Sequence, residues 1–138
     1  MSRIMAIDFG MKRTGIAVTD NLKMIATSLE TLPTKETISF LKNYFQKEEV
    51  EVIVIGKPVN LDNTEQEIEK NIQGFIVDLK KNFPEKNIER MDERFTSKIA
   101  KQTILDSGIG KMKRRNKSLV DKVSATLILQ SYLETLQK

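Results

Sequence analysis

Four acidic residues stand at three points of the chain where carboxylates could take part in chemistry. Asp8 ends an apolar stretch that is typical of a buried strand, and Asp92 and Glu93 end a second strand-like stretch. Asp121 follows Ser118, a typical helix N-cap, and interrupts the apolar positions of that helix. Two or three carboxylates can hold divalent cations that activate water. The pattern therefore favours metal-dependent phosphodiester hydrolysis, provided that the fold brings these acids together.

Each acid also has a plain structural explanation. Asp8 could accept hydrogen bonds within a turn. Glu93 could pair with Arg94 or lie near the N-terminus of the next helix, and the helix dipole favours an acid at position 121. Strand alternation leaves open whether Asp92 or Glu93 points toward a common crevice.

The chain contains no cysteine and no histidine. Disulfides, thiolate nucleophiles and cysteine-based zinc or iron–sulfur sites are therefore excluded, and the most common general base is absent. Carboxylates without imidazole or thiolate suit hard cations, so Mg²⁺ or Mn²⁺ is the expected cofactor.

Basic residues are concentrated in one part of the chain. Residues 94–117 contain eight of them against one acid, Asp106, and five lie within residues 111–117. Because the whole chain carries a net charge of only +4, this segment predicts a polyanionic partner held at one place. A solvated lysine-rich face is the simpler alternative.

The length of 138 residues fits a single domain, expected to span residues 1–138. No apolar run approaches the roughly 20 residues that cross a bilayer, and the N-terminus lacks the pattern of a secretory signal. We therefore expect a cytoplasmic protein without a membrane partner.

Periodicity predicts five strands and four helices in the order β-β-β-α-β-α-β-α-α. The strands are expected near residues 3–9, 15–20, 24–32, 50–56 and 88–92. The basic residues 111–117 lack apolar periodicity and are predicted to form a loop. The expected N-caps of the four helices are Thr34, Asp62 or Asn63, Thr96 or Ser97, and Ser118.

Short links between the first three strands predict an antiparallel meander, and right-handed crossovers place strands four and five beyond strand one. The result is a five-stranded mixed α/β sheet of order 3-2-1-4-5, flanked by helices, which is the ribonuclease H-like architecture. Strand one is central, with strand four parallel beside it. Asp8 then lies at the carboxyl ends of parallel strands, where open α/β sheets bind their ligands.

Four motifs, in order and in register, resemble the YqgF (RuvX) family of ribonuclease H-like proteins. They are MAIDFG and KRTGIAV within residues 5–18, IVIGKP at residues 53–58, DERFTS at residues 92–97, and VD followed by SA within residues 120–125. The resemblance covers nearly the whole chain.

The resemblance implies a nuclease that trims the 5′ end of precursor small-subunit (16S) ribosomal RNA, with Asp8, Glu93 and Asp121 as metal-binding catalytic acids. The family is also similar to Holliday-junction resolvases of the RuvC type, which implies branched DNA as an alternative substrate. Those resolvases use a fourth acid one helical turn from the last. Here residues 122–125 contain no second carboxylate, which weakens the resolvase interpretation.

Basic residues near the strand ends and in the loop are the expected phosphate contacts: Arg13, Lys57, Arg94, Lys111, Lys113, Arg114, Arg115 and Lys117. An ATP-binding protein of the actin and sugar-kinase type shares this sheet but needs two such domains, and the chain has room for one. A nucleic-acid-binding ribosome-assembly or transcription factor without activity would use the same basic loop. The expected partner is structured RNA or branched DNA, and the expected state is a monomer or weak homodimer.

Overall fold

The computed structural model of the chain describes residues 2–20, 22–57, 63–92 and 117–136. These residues form strands, two longer helices, one shorter helix and a 3₁₀ turn. In order they are β1 (Arg3–Asp8), β2 (Arg13–Thr19), β3 (Ala26–Pro33), the 3₁₀ turn (Thr34–Glu36), α1 (Thr37–Lys47), β4 (Val50–Lys57), α2 (Asn63–Asn82), β5 (Asn87–Asp92) and α3 (Lys117–Leu136). The helix predicted from Thr96 or Ser97 to Asp106 lies outside the described residues.

The sheet has the order β3-β2-β1-β4-β5, which confirms the predicted ribonuclease H-like topology. β2 pairs antiparallel with both β1 and β3, because only short links join these strands. β4 pairs parallel with β1 and with β5, because α1 and α2 carry the chain back between them. The carboxyl ends of β1, β4 and β5 therefore lie at the same edge.

Helices cover both faces of the sheet. One face packs against α1 and α2, and we call it the α1–α2 face; its buried residues include Met5, Ile7, Ile53, Ile55, Leu41 and Leu79. The other packs against α3, and we call it the α3 face; its buried residues include Ile4, Ala6, Val54, Met91, Ala125 and Ile128. Because both faces are covered, β4 is an almost continuous run of β-branched residues.

The described helices bury apolar residues at helical spacing. Leu41 of α1 is fully buried. In α2, four apolar side chains are at most 7% exposed: Ile72, Phe75, Ile76 and Leu79. In α3 the buried residues include Leu127, Ile128 and Leu133. No helix in the described ranges is long and apolar enough to cross a membrane.

Three predicted boundaries were wrong. Thr34 begins the 3₁₀ turn and does not cap α1, which starts at Thr37 without a side-chain cap. β3 starts at Ala26, because the Asp20 carboxylate closes a turn by accepting hydrogen bonds from the backbone nitrogens of Met24 (2.8 Å) and Ile25 (3.1 Å). α3 starts at Lys117, so this residue belongs to the helix and Ser118 is not its N-cap.

Candidate active site

Asp8 lies at the carboxyl end of the central strand β1 and is partly buried. Side chains alternate along a strand, so Asp8 shares the α3 face with Ile4 and Ala6. Its partner across β2 is Gly15, which contributes no side chain beside it. The carboxylate therefore stands at the strand end on the face covered by the helix that contains Asp121.

The loop that follows Asp8 is held by Thr34. The Thr34 backbone nitrogen donates to the Lys12 carbonyl oxygen at 3.0 Å, and Thr34 Oγ1 donates to the Gly10 carbonyl oxygen at 2.5 Å. Thr34 Oγ1 also lies 2.8 Å from Thr14 Oγ1. Because the single Thr34 hydroxyl proton goes to Gly10, the fully buried Thr14 must donate in this second bond. A relay of two hydroxyls thus ties the loop to the 3₁₀ turn.

Glycine is required within this loop. A Cβ atom at Gly10 would collide with the backbone carbonyl oxygen of Arg13. Arg13 begins β2 two residues before Gly15, so it lies on the same face as Asp8 and is partly exposed. Among the predicted phosphate contacts, Arg13 is therefore placed beside the candidate site.

Asp92 and Lys57 end neighbouring strands and are partners in the β4–β5 ladder. Lys57 lies two residues after Ile55, so both side chains lie on the α1–α2 face. Asp92 follows Met91, which lies on the α3 face, so Asp92 lies on the α1–α2 face as well. The structure does not bring Lys57 or Asp92 onto the face of Asp8.

An arginine clamp fixes the carboxyl end of β4. Arg90 of β5 donates to both carboxylate oxygens of Glu69 in α2, at 2.8 and 3.0 Å. It also donates to the carbonyl oxygens of Gly56 (3.1 Å) and Ile55 (3.3 Å). The hydrogen bonds from Arg90 hold the pKa of Glu69 below its usual value. The clamp therefore joins α2, β4 and β5 beside the strand ends.

Tyr132 shows how α3 lies along the sheet. Its hydroxyl donates to Glu89 Oε2 of β5 at 3.0 Å. Burial, together with the nearby carboxylates of Glu89 and Glu51, raises the pKa of Tyr132 to about 12. Because Glu89 is the third residue of β5, Tyr132 in the C-terminal part of α3 lies beside the first half of that strand.

The described part of the predicted site is incomplete. Asp121 is the fifth residue of α3. Glu93 and Arg94 lie outside the described residues, as do Lys111, Lys113, Arg114 and Arg115. Within the described ranges, no three His, Cys, Asp or Glu residues form a group that could hold a metal ion.

The relay at Thr34 and the clamp of Arg90 with Glu69 were not predicted from the sequence. A signal for the clamp exists: Arg90 is in phase with Ile88 on a covered face, and Glu69 is three residues before the buried Ile72. Charges placed in this way need partners. For Thr34 the local signal pointed to a helix cap and gave no hint of the hairpin loop.

Two proteins of similar sequence match this chain over nearly its full length. A protein from Christiangramia forsetii is 53% identical over 133 residues, covering 96% of this chain and 98% of its own. A protein from Bacteroides thetaiotaomicron is 54% identical over 135 residues, covering 98% of each. Both carry the provisional name pre-16S rRNA nuclease.

Solved structures share the fold at low identity. The RuvC of T. thermophilus in complex with Holliday junction substrate has a TM-score of 0.58 and is 15% identical, covering 98% of this chain and 96% of that one. The Holliday junction resolvase of fowlpox virus has a TM-score of 0.54 and is 14% identical, covering 96% and 99%.

The sequence model of one family, described as "RuvX: Holliday junction resolvase", matches residues 2–135. This match and the identity to the relatives above agree with the five-stranded sheet and its central Asp8. The chain belongs to the RuvX (YqgF) family of ribonuclease H-like proteins.

Proposed function

We propose that this chain is a nuclease that hydrolyses phosphodiester bonds near the 5′ end of precursor 16S ribosomal RNA, with Asp8, Glu93 and Asp121 as its catalytic acids. The observation that carries the proposal is the place of Asp8, at the carboxyl end of the central strand and on the face covered by α3. The substrate is inferred from relatives at 53–54% identity that bear the name of such a nuclease.

Strand alternation supports Glu93 over Asp92 as the second acid. Met91 lies on the face of Asp8, and Asp92 follows on the opposite face. If β5 continued by one residue, strand alternation would place residue 93 on the face of Asp8, and that residue is Glu93.

Helical spacing supports Asp121 as the third acid. Residues four apart share one side of a helix, and Asp121 precedes by four the fully buried Ala125 of the α3 face. Asp121 also stands eleven residues before Tyr132, or about 16 Å along the helix. Since Tyr132 bonds to Glu89 in the first half of β5, this distance is long enough for Asp121 to lie near the carboxyl ends of the strands.

The donor set fits a hard divalent cation, and we propose Mg²⁺ or Mn²⁺. Three carboxylates supply only oxygen ligands, and the chain has no histidine or cysteine to favour a softer metal. When bound, such a cation supplies charge stabilisation and an activated water. Of this set, Asp8 is the acid whose side chain the structure describes, and it lies at the end of a central strand followed by the anchored loop.

Positive side chains on the same side would bind the phosphate backbone. Arg13 lies on the face of Asp8, and Lys117 begins the helix that carries Asp121. With Arg94, Lys111, Lys113, Arg114 and Arg115 they form the proposed phosphate-binding set, to which Lys57, on the α1–α2 face, also belongs as a proposed contact. Such contacts position the substrate without reading its bases, so affinity should fall steeply as salt rises.

Cleavage of branched DNA is the second candidate function. The family description and the folds of two resolvases favour it. Paired cuts in a symmetric junction require a symmetric dimer, and the oligomeric state of this chain stays a prediction, as does its cytoplasmic location. A binding protein without activity is the non-enzymatic alternative.

The test is cleavage of a 5′-extended 16S rRNA precursor and of a four-way DNA junction, each with Mg²⁺ or Mn²⁺, by wild type and by Asp8→Asn. We expect the wild type to cut the RNA, and the variant or added chelator to abolish cutting. Cutting of the junction alone would select the resolvase. Equal binding by both proteins without cutting of either substrate would select the binding protein.

A further inference from the structure

A cleft opens on the α1–α2 face, directly behind Asp8. It has a volume of about 640 Å³ and lies between the end of β1, the start of α1 and the middle of α2. Ligand pockets in proteins commonly have volumes of about 300–1,000 Å³. Phe9, the residue that follows Asp8 in the chain, is one of its lining residues.

The floor of the cleft is aromatic and apolar. Phe9 is partly exposed and packs on the buried Phe75 with ring centroids 5.3 Å apart and ring planes inclined at 43°. Ile38 of α1 and Val77 of α2 extend the apolar lining, and Val77 is 51% exposed. A partly exposed aromatic ring beside aliphatic side chains is suited to contact the flat face of a nucleobase.

The rim of the cleft carries positive charge. Lys35, from the 3₁₀ turn, and Lys70, from α2, both line it and are exposed. Neither makes an ion pair with another residue in the described ranges. One acid, Asp78, also lines the cleft. Two lysines without ion pairs above an apolar floor match a ligand that combines a flat apolar ring with negative charge.

A glycine in α2 keeps the cleft open. Gly74 lines it, and a Cβ atom added there would meet no atom within 4 Å. Glycine inside a helix costs about 1 kcal/mol relative to alanine, so packing does not explain its presence. A larger side chain at this position would project into the cleft.

We propose that this cleft binds an unpaired nucleotide of the substrate strand, with its base against Phe9 and its phosphates at Lys35 and Lys70. The inference rests on the proposed function and extends it: the nuclease would engage single-stranded RNA next to the cleavage site. Asp8 and Phe9 are adjacent in the chain but on opposite faces of the sheet. An RNA strand that crosses the carboxyl end of β1 would therefore contact both of these side chains.

The test measures the affinity of a fluorescent single-stranded oligoribonucleotide by anisotropy, in the Asp8→Asn background so that no cleavage interferes. The cleft variants are Lys35→Glu with Lys70→Glu, Phe9→Leu, and Gly74→Leu. The control is Lys80→Glu with Lys81→Glu, which makes the same change of charge on exposed residues of α2 that do not line the cleft.

We expect the two lysine reversals in the cleft to lower the slope of log affinity against log salt by about 1.4, at about 0.7 for each phosphate contact of a single strand. Phe9→Leu should weaken binding by about 5-fold or more, and Gly74→Leu should weaken it without loss of folding. A DNA oligonucleotide should respond equally, because neither stacking nor phosphate contact requires the 2′-hydroxyl.

Unchanged affinity in the folded cleft variants, or an equal loss in the control, would overturn the inference. Its failure is distinct from failure of the proposed function. A wild type that cuts precursor RNA while the cleft variants bind normally would retain the function and reject the cleft. If the wild type never cuts but the cleft variants lose binding, the cleft would be retained and the proposed function rejected.

Discussion

Thr34→Val tests whether the hydroxyl relay holds the loop beside Asp8. The substitution keeps the shape of the side chain but removes the acceptor for Thr14 and the donor to the Gly10 carbonyl oxygen. Thr14 is fully buried, so its hydroxyl would lose its partner where water cannot replace it. Thr34→Ser keeps both hydrogen bonds and is the matched control.

The expected loss of stability follows from these two bonds. A buried polar group left without a partner costs about 1–3 kcal/mol, and a bond to a partly exposed carbonyl contributes about 0.5–1.5 kcal/mol. Thr34→Val should therefore lower the free energy of unfolding by about 1.5–4.5 kcal/mol. Adding Thr14→Val removes the orphaned hydroxyl, so the double variant should be more stable than Thr34→Val alone.

Urea unfolding measures these free energies, and cleavage of precursor RNA measures the effect on the site. We expect Thr34→Val to lower the cleavage rate under conditions in which it is folded, because the residues after Asp8 lose their anchor. Thr34→Ser should match the wild type in both assays. The relay is refuted if the double variant is as unstable as the sum of the two single variants, or if the serine variant behaves like the valine variant.

Three further predictions concern stability. Arg90 holds the pKa of Glu69 below 4.5. The ion pair therefore stabilises the fold above that pH, and this stabilisation is lost as the pH falls through the lowered pKa. In acid unfolding experiments, Glu69→Gln should lack the loss of stability that protonation of Glu69 causes in the wild type. The pKa of Tyr132 is raised to about 12, so its bond to Glu89 contributes fully to stability below pH 10 and this contribution is lost toward pH 12. The free energy of unfolding of Tyr132→Phe should therefore fall less between pH 10 and pH 12 than that of the wild type. Gly74→Ala should raise the free energy of unfolding by about 0.5–1 kcal/mol, which thermal unfolding would detect.

The sheet was predictable because its signals are local. β4 is a nearly continuous run of β-branched residues, and the first three strands are joined by short links. The apolar periodicity, the order of the elements and the length of the links therefore all favoured one sheet topology. Asp8 was predictable for the same reason, since it ends the apolar central strand. The face of Lys57 could also have been found, because it is in phase with Ile53 and Ile55.

Contacts between distant parts of the chain were not predictable. Thr34 has the residue type of a helix cap, but the hairpin loop 20 or more residues earlier competes for its hydroxyl and prevails. Arg90 and Glu69 are separated by 21 residues, so the local pattern indicates that each charge needs a partner but does not identify it. The cleft behind Asp8 depends on how α1 and α2 pack, which periodicity does not specify.

Two adjacent carboxylates provide the most direct test of the proposed site. Glu93→Gln and Asp92→Asn remove one charge each at neighbouring positions, and of these two acids only Glu93 is a proposed catalytic residue. Cleavage of the 5′-extended 16S rRNA precursor with Mn²⁺ should be abolished by Glu93→Gln and retained by Asp92→Asn. Loss of cleavage in Asp92→Asn with full activity in Glu93→Gln would contradict the assignment of the catalytic acids.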